Sequence, residues 1–168
     1  MPEPRDALAG VTVLDLATFL AAPLCATLLG EFGAEVIKVE QPGAGDDLRR
    51  LGRAAGAGQA SYWWLVEARN KRSITCNLRD PEGQALIRRL VTGAHVVTEN
   101  FRPGTLERWN LGWDALVQAR PSLVLVRVSA FGQTGPRRER PGFGRIAAAR
   151  VGRQRHRGIQ PLHGHADG

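Results

Sequence analysis

Residues 10–40 read GVTVLDLATFLAAPLCATLLGEFGAEVIKVE, and two hydrophobic periods alternate within them. After Gly10, the β-branched and leucine-rich run VTVLDLA predicts a buried strand over 11–17. Pro23 suits a first helical turn, Leu24, Leu28 and Phe32 recur at helical spacing, and Gly33 supplies the stop. EVIKVE then predicts a second strand over 35–40. A strand, a helix and a strand in forty residues form a β-α-β unit, whose strands are expected to be parallel and whose crossover is right-handed.

The same alternation continues outward. A glycine-rich loop spans 43–58, and SYWWLVEA predicts a short helix over 61–68 whose aromatic residues are read as packing. SITCNL predicts a strand over 73–78. Asp80 as cap and Pro81 at the first helical position open a helix with Leu86, Ile87, Leu90 and Val91 on one face, closed by Gly93. HVVTEN predicts a strand over 95–100, Pro103 begins a further helical turn, a helix covers 113–119, and LVLVRVSA predicts a fully buried strand over 123–130. The expected fold class is α/β, a Rossmann-like parallel sheet with helices on both faces.

At 168 residues and 43% apolar the chain can bury one core. The expected organisation is an α/β domain over 1–148 and an Arg-rich, disordered or frame-shifted tail over 149–168. The net charge of +7 resides at that end, because residues 1–136 hold 15 Lys and Arg against 14 Asp and Glu. A nucleic-acid partner requires aromatic residues or a recognisable module beside such charge, so none is expected. Cys25 and Cys76 each sit in an apolar stretch, where a reduced thiol is the ordinary state. The first residues lack the apolar run of a signal peptide, and no run reaches the ~20 residues that span a bilayer. A cytoplasmic protein without a membrane partner is expected. His156, His163 and His165 lack companion ligands at a metal-binding spacing, so no metal is expected either.

In open α/β sheets ligands bind outside the carboxyl ends of the strands. That rule singles out 18–23, Gln41, Arg79, the three residues Asn100, Phe101 and Arg102, and 131–135. The first turn reads ATFLAAP and has no Gly-x-Gly-x-x-Gly, and no Walker lysine loop occurs, which disfavours a dinucleotide enzyme or an ATPase. Lys71, Arg72, Arg79, Arg102 and Arg108 fall near predicted strand ends. Most surface charges have no ligand, but guanidinium groups gathered in an otherwise neutral body suit a polyanion rich in phosphate.

Four segments in order resemble the opening of the family III coenzyme A transferases, of the formyl-CoA and carnitine-CoA transferase type. They are LAGVTVLDLATFLAAPLCATLLGEFGAEVIKVEQPGAGD, NKRSITCNLRDPEGQALIRRL, ENFRPGTLERWNLGW and RVSAFGQTGPRRERPGF. The resemblance implies coenzyme A as a substrate lying along the strand ends. Its contacts would be Leu20 and Ala21 in the first loop, Gln41 after the second strand, then Arg72 with Cys76, Asn77, Leu78 and Arg79. Asn100, Phe101, Arg102 and Arg108 complete the set. Gln41 stands where some members have an arginine, which removes a charge-assisted contact worth ~1.5–3 kcal/mol.

Transferases of this family use an aspartate carboxylate that attacks the acyl-CoA thioester to form a mixed anhydride. By resemblance that aspartate lies beyond residue 168, and Asp167 precedes its position, so no catalytic residue is assigned and the chain is expected to be an inactive fragment. The implied activity is transfer of coenzyme A between an acyl-CoA and a carboxylic acid. An α-methylacyl-CoA racemase is the weaker alternative, because Phe143 and Gly144 replace that group's His-Asp pair and cannot move a proton. A coenzyme A-binding remnant without catalysis is the other. Residues 149–162 depart from the family pattern, which fits a reading frame lost after Ala148 and regained before Gly164. The resemblance also implies a homodimer in the full-length family.

Overall fold

The structure is a computed structural model that describes residues 6–142. The readings made on Phe143, Gly144, the Arg-rich tail, its histidines and Asp167 lie outside the described residues. The strands are β1 (Thr12–Asp15), β2 (Glu35–Glu40), β3 (Lys71–Thr75), β4 (Val96–Glu99) and β5 (Val124–Arg127). The helices are α1 (Ala21–Glu31), α2 (Tyr62–Glu67), α3 (Pro81–Val91), α4 (Thr105–Arg108) and α5 (Trp113–Ala119), and a 3-10 turn covers Asp47–Arg50. The five strands form one sheet in the order β3-β2-β1-β4-β5, with every pairing parallel. Sheet growth reverses between β1 and β4, which makes their carboxyl ends the topological switch point. This compact unit closes at Val128. In a second unit that begins at Ser129, the described residues form turns, with Gly132 and Gly135 at φ 78° and 89°.

Both faces of the sheet are covered, and this is why the strands read as nearly continuous apolar runs. Side chains alternate along each strand. Val13 and Val36 join Ala26 and Ala34 in a cluster under α1. Leu14 and Val97 point the other way, into a core with Ile87 and Val91 of α3, Leu106 of α4 and Leu116 of α5. α3 opens on Asp80, whose carboxylate accepts the Glu82 N–H at 2.9 Å, with Pro81 at the first helical position.

Three sequence expectations change. Leu24, Leu28 and Phe32 mark helical spacing but face outward, at 41%, 45% and 59% exposure. α1 instead buries Ala22, Pro23, Ala26 and Thr27, small residues that let the helix axis approach the sheet. LVLVRVSA is shorter than expected and is not fully buried: β5 is an edge strand, and Val124 is 55% exposed. The third strand begins earlier, at Lys71, and ends at Thr75, so Cys76, Asn77, Leu78 and Arg79 form the loop that follows it.

Beside α1, the carboxyl ends of β1 and β2 carry charge instead of hydrocarbon. Asp15 is fully buried. Its Oδ1 accepts from the Thr98 hydroxyl at 2.9 Å and from the Ala17 N–H at 3.2 Å, and its Oδ2 accepts from Lys71 Nζ at 2.8 Å. Lys71 Nζ also donates to the Pro23 carbonyl at 2.7 Å, which ties β3 to the first turn of α1. Burial pulls the Lys71 ammonium below its ordinary pKa, and the Asp15 carboxylate opposes that pull.

Removing one member of a buried pair strands the other charge, at a cost of ~3–5 kcal/mol, whereas replacing both by apolar groups is far milder. Asp15→Ala is therefore expected to lower the unfolding free energy by roughly 3–5 kcal/mol, with Asp15→Leu/Lys71→Met recovering most of it. Urea denaturation followed by circular dichroism checks both; a double variant no better than Asp15→Ala would contradict the pairing.

Candidate functional site

A cleft opens at the carboxyl ends of the strands. Leu16 and Thr18 enter it from the end of β1, Val39, Glu40 and Gln41 from β2, and Cys76, Asn77, Leu78 and Arg79 from the loop after β3. Phe101 and Trp109 close the side beyond β4. Their rings meet edge to face, with centroids 5.1 Å apart.

Backbone clamps fix the walls of this cleft. Asn100, directly after β4, accepts the Thr18 N–H at 2.8 Å through Oδ1 and donates to the Thr18 carbonyl at 2.6 Å through Nδ2. The two strands flanking the switch point are thereby locked together just beyond their last paired residues. On the β3 side, α3 lies so close to the loop that a Cβ on Gly83 would run into the Asn77 carbonyl oxygen and come within 3.1 Å of Cys76 Sγ. Only glycine fits that approach, and it seats the 76–78 backbone. Cys76 is buried, and burial first, then the Asp80 charge, push its thiol above the ordinary pKa. A protonated thiol donating toward the Gly83 carbonyl at 3.4 Å is a packing group, not an activated nucleophile.

Glu40, in the cleft wall, is surrounded by hydrogen-bond donors. Its Oε2 accepts from Arg49 Nε at 2.6 Å and from the Asp46 N–H at 2.9 Å, while Oε1 accepts from Arg49 Nη2 at 2.7 Å and from the Ser73 hydroxyl. Arg49 in turn lies over the Trp64 ring, 3.9 Å from its centroid. Burial alone would push the Glu40 carboxyl up, but the hydrogen bonds from Arg49, Ser73 and Asp46 together hold it at about 2.

Of the residues singled out from the sequence, Thr18, Gln41, Cys76, Asn77, Leu78, Arg79 and Phe101 are brought together in the cleft. Leu20 caps α1 and Ala21 begins it, one turn of chain beyond the lining residue Thr18. Asn100 acts through Thr18. Arg102 lies exposed after β4, and Arg108 ends α4 with Nη2 donating to Thr105 Oγ1 at 2.9 Å. Lys71 and Arg72 lie at the amino end of β3: Lys71 is consumed by Asp15, and Arg72 pairs with Glu35, the first residue of β2, at 2.9 Å. Leu16, Val39, Glu40 and Trp109 were not anticipated. Val39 and Glu40 end β2 and Leu16 directly follows β1, places that the carboxyl-end rule could have supplied; Trp109 gives no local signal, since its approach to Phe101 depends on the α4 turn.

Strand order and the cleft at the switch point define an α/β unit of Rossmann type. The chain belongs to CoA-transferase family III, which it matches over residues 8–161. It is 57% identical over 142 residues to the succinyl-CoA–L-malate CoA-transferase beta subunit of Chloroflexus aurantiacus, covering 84% of this chain and 35% of that protein. It is 56% identical over 151 residues to the succinyl-CoA–D-citramalate CoA-transferase of the same organism, covering 90% of this chain and 37% of that one. Among solved structures, a CAIB/BAIF family protein from Brucella suis superposes with a TM-score of 0.80 at 37% identity, over 98% of this chain and 43% of that one. The chain thus spans about a third of the length of the curated relatives it matches.

Two outcomes are expected. Gly83→Ala must displace the 76–78 backbone or α3, and is expected to destabilise the chain by about 1–3 kcal/mol, the usual range for overpacking, measurable as a lower urea midpoint. Because the Glu40 carboxyl lies at about 2 in the fold against an ordinary 4.5, its contribution is complete above pH 4.5 and is lost as pH falls toward 2. The stability difference between the wild type and Glu40→Gln should therefore shrink across that window; a difference independent of pH would contradict the assignment.

Proposed function

We propose that this chain holds the coenzyme A moiety of an acyl-CoA, within a whole protein that transfers coenzyme A between an acyl-CoA and a carboxylic acid. The observation that carries the reading is that three guanidinium groups in and beside the cleft lack a carboxylate partner. Lys71 and Arg72, which open β3, are by contrast neutralised by Asp15 and Glu35. Arg79, in the cleft wall, and Arg102 and Arg108, on the turn and helix after β4, have no carboxylate partner among the described residues. Guanidinium groups without a carboxylate partner there suit the phosphates of coenzyme A. Leu16, Val39, Leu78, Phe101 and Trp109 supply an apolar wall for the less polar arm of the ligand.

The names of the relatives favour succinyl-CoA as donor and a hydroxylated dicarboxylic acid as acceptor. In this reading Leu20, Ala21 and Gln41 border the ligand, Cys76, Asn77, Leu78 and Arg79 line one side of it, and Asn100, Phe101, Arg102 and Arg108 the other. Arg72 is left out of the ligand set. A cytoplasmic, multimeric enzyme accords with the free Cys25 and Cys76 and with relatives named as alpha and beta subunits. Among the described residues no helix is long and apolar enough to cross a membrane.

Isothermal calorimetry of the chain with coenzyme A tests the reading. Arg79→Ala and Arg102→Ala are each expected to weaken binding roughly tenfold or more, as loss of a charge-assisted hydrogen bond worth ~1.5–3 kcal/mol requires. Arg72→Ala is expected to leave the affinity unchanged. A cooperatively folded chain that does not bind coenzyme A, or one that loses binding through Arg72→Ala but not Arg79→Ala, would overturn the proposal.

A further inference from the structure

Phe19 lies in the loop between β1 and α1 with φ 70°, a left-handed conformation that a bulky side chain rarely adopts unless its surroundings impose it. The imposing group is Asp46. Both oxygens of its carboxylate stand 3.2 Å from the Phe19 N–H, which donates to them. That carboxylate comes from the loop after β2, and it is fixed from behind. Its Oδ2 lies 3.3 Å from Lys38 Nζ, its Oδ1 accepts the Leu48 N–H at 2.9 Å, and the Asp46 and Lys38 side chains are only 1% and 2% exposed. Lys38 itself donates to the Ala17 carbonyl, two residues before Phe19.

The loop is thus gripped at consecutive residues from opposite sides of the switch point. Asn100 holds Thr18 from β4, and Asp46 holds Phe19 from β2. Thr18 lines the cleft, and Leu20 caps α1 at its border. We infer that Asp46 is a positioning residue for the acyl-CoA site: by binding the Phe19 N–H it sets the backbone of 18–20 in the one conformation that shapes the mouth of the cleft. The inference rests on the assignment of the cleft to coenzyme A made above.

Glycine adopts positive φ without steric cost, so Phe19→Gly removes the need for an imposed conformation. A double-variant cycle with coenzyme A as probe therefore separates positioning from general stability. Asp46→Ala is expected to weaken coenzyme A binding about tenfold in the wild-type background and no more than about threefold in the Phe19→Gly background. Hydrogen exchange at the Phe19 amide should quicken in Asp46→Ala while strand amides such as Val97 keep their protection.

If Asp46→Ala does not fold, Asp46→Ala/Lys38→Met also removes the buried charge that Asp46→Ala leaves unpaired, and the same suppression by Phe19→Gly is expected. Equal affinity losses in both backgrounds, or an unchanged affinity in Asp46→Ala, would overturn the inference. If the folded wild type does not bind coenzyme A at all, the assignment of the cleft falls, and with it the positioning role. Quicker Phe19 exchange in Asp46→Ala would then show only a clamp without a ligand.

Discussion

Three carboxylates, Asp15, Glu40 and Asp46, lie buried at the carboxyl ends of the first two strands and the loop beyond them, where each would cost several kcal/mol if left unpaired. Their compensation dictates much of the surrounding chain. Asp15 requires Lys71, which joins β3 and the first turn of α1 to the centre of the sheet. Glu40 requires Arg49, which folds the glycine-rich loop back over Trp64. Asp46 requires Lys38 and then uses its remaining capacity on the Phe19 N–H. A parallel sheet ordinarily fills such positions with hydrocarbon. Here the charged layer orients loops, which hydrocarbon packing does not do with comparable directionality.

The cleft is the consequence of those oriented loops. Its walls are formed largely by short connections after four parallel strands, and their positions depend on backbone hydrogen bonds accepted by Asn100, Asp46 and Glu40. The loop after β3 is seated instead by a close approach that a missing Cβ at Gly83 permits. Side-chain chemistry is then divided along and beside the cleft. Apolar and aromatic side chains line it, while Arg79 lies in its wall and Arg102 and Arg108 follow in the connection beyond β4 without acidic partners among the described residues.

Much of this was legible from the sequence, for identifiable reasons. EVIKVE and the Asp80-Pro81 helix start are specified by local rules of periodicity and capping, and they fold where those rules place them. α1 was legible as a helix but not in its facing, because leucine spacing gives a period without saying whether small or large residues meet the sheet. The last strand was misjudged for a related reason: an apolar run cannot announce that it forms an edge. The carboxyl-end rule located Thr18, Gln41, Arg79 and Phe101 of the cleft, and the family resemblance added Cys76, Asn77 and Leu78. Lys71 and Arg72, singled out by their charge and not by that rule, open β3 at its amino end. Their role as counter-ions depends on Asp15 and Glu35, residues distant in sequence, and no local pattern reveals such a partner.

The central claim is that coenzyme A occupies the carboxyl-end cleft, and amide chemical shifts of the isotope-labelled chain during titration with coenzyme A test it residue by residue. The account predicts saturable shifts concentrated at Thr18, Gln41, Asn77, Leu78, Arg79 and Phe101, with Gly33, Glu35 and Arg72 at the amino edge unaffected. Shifts centred on that amino edge, or spread without saturation over the whole sheet, would contradict it.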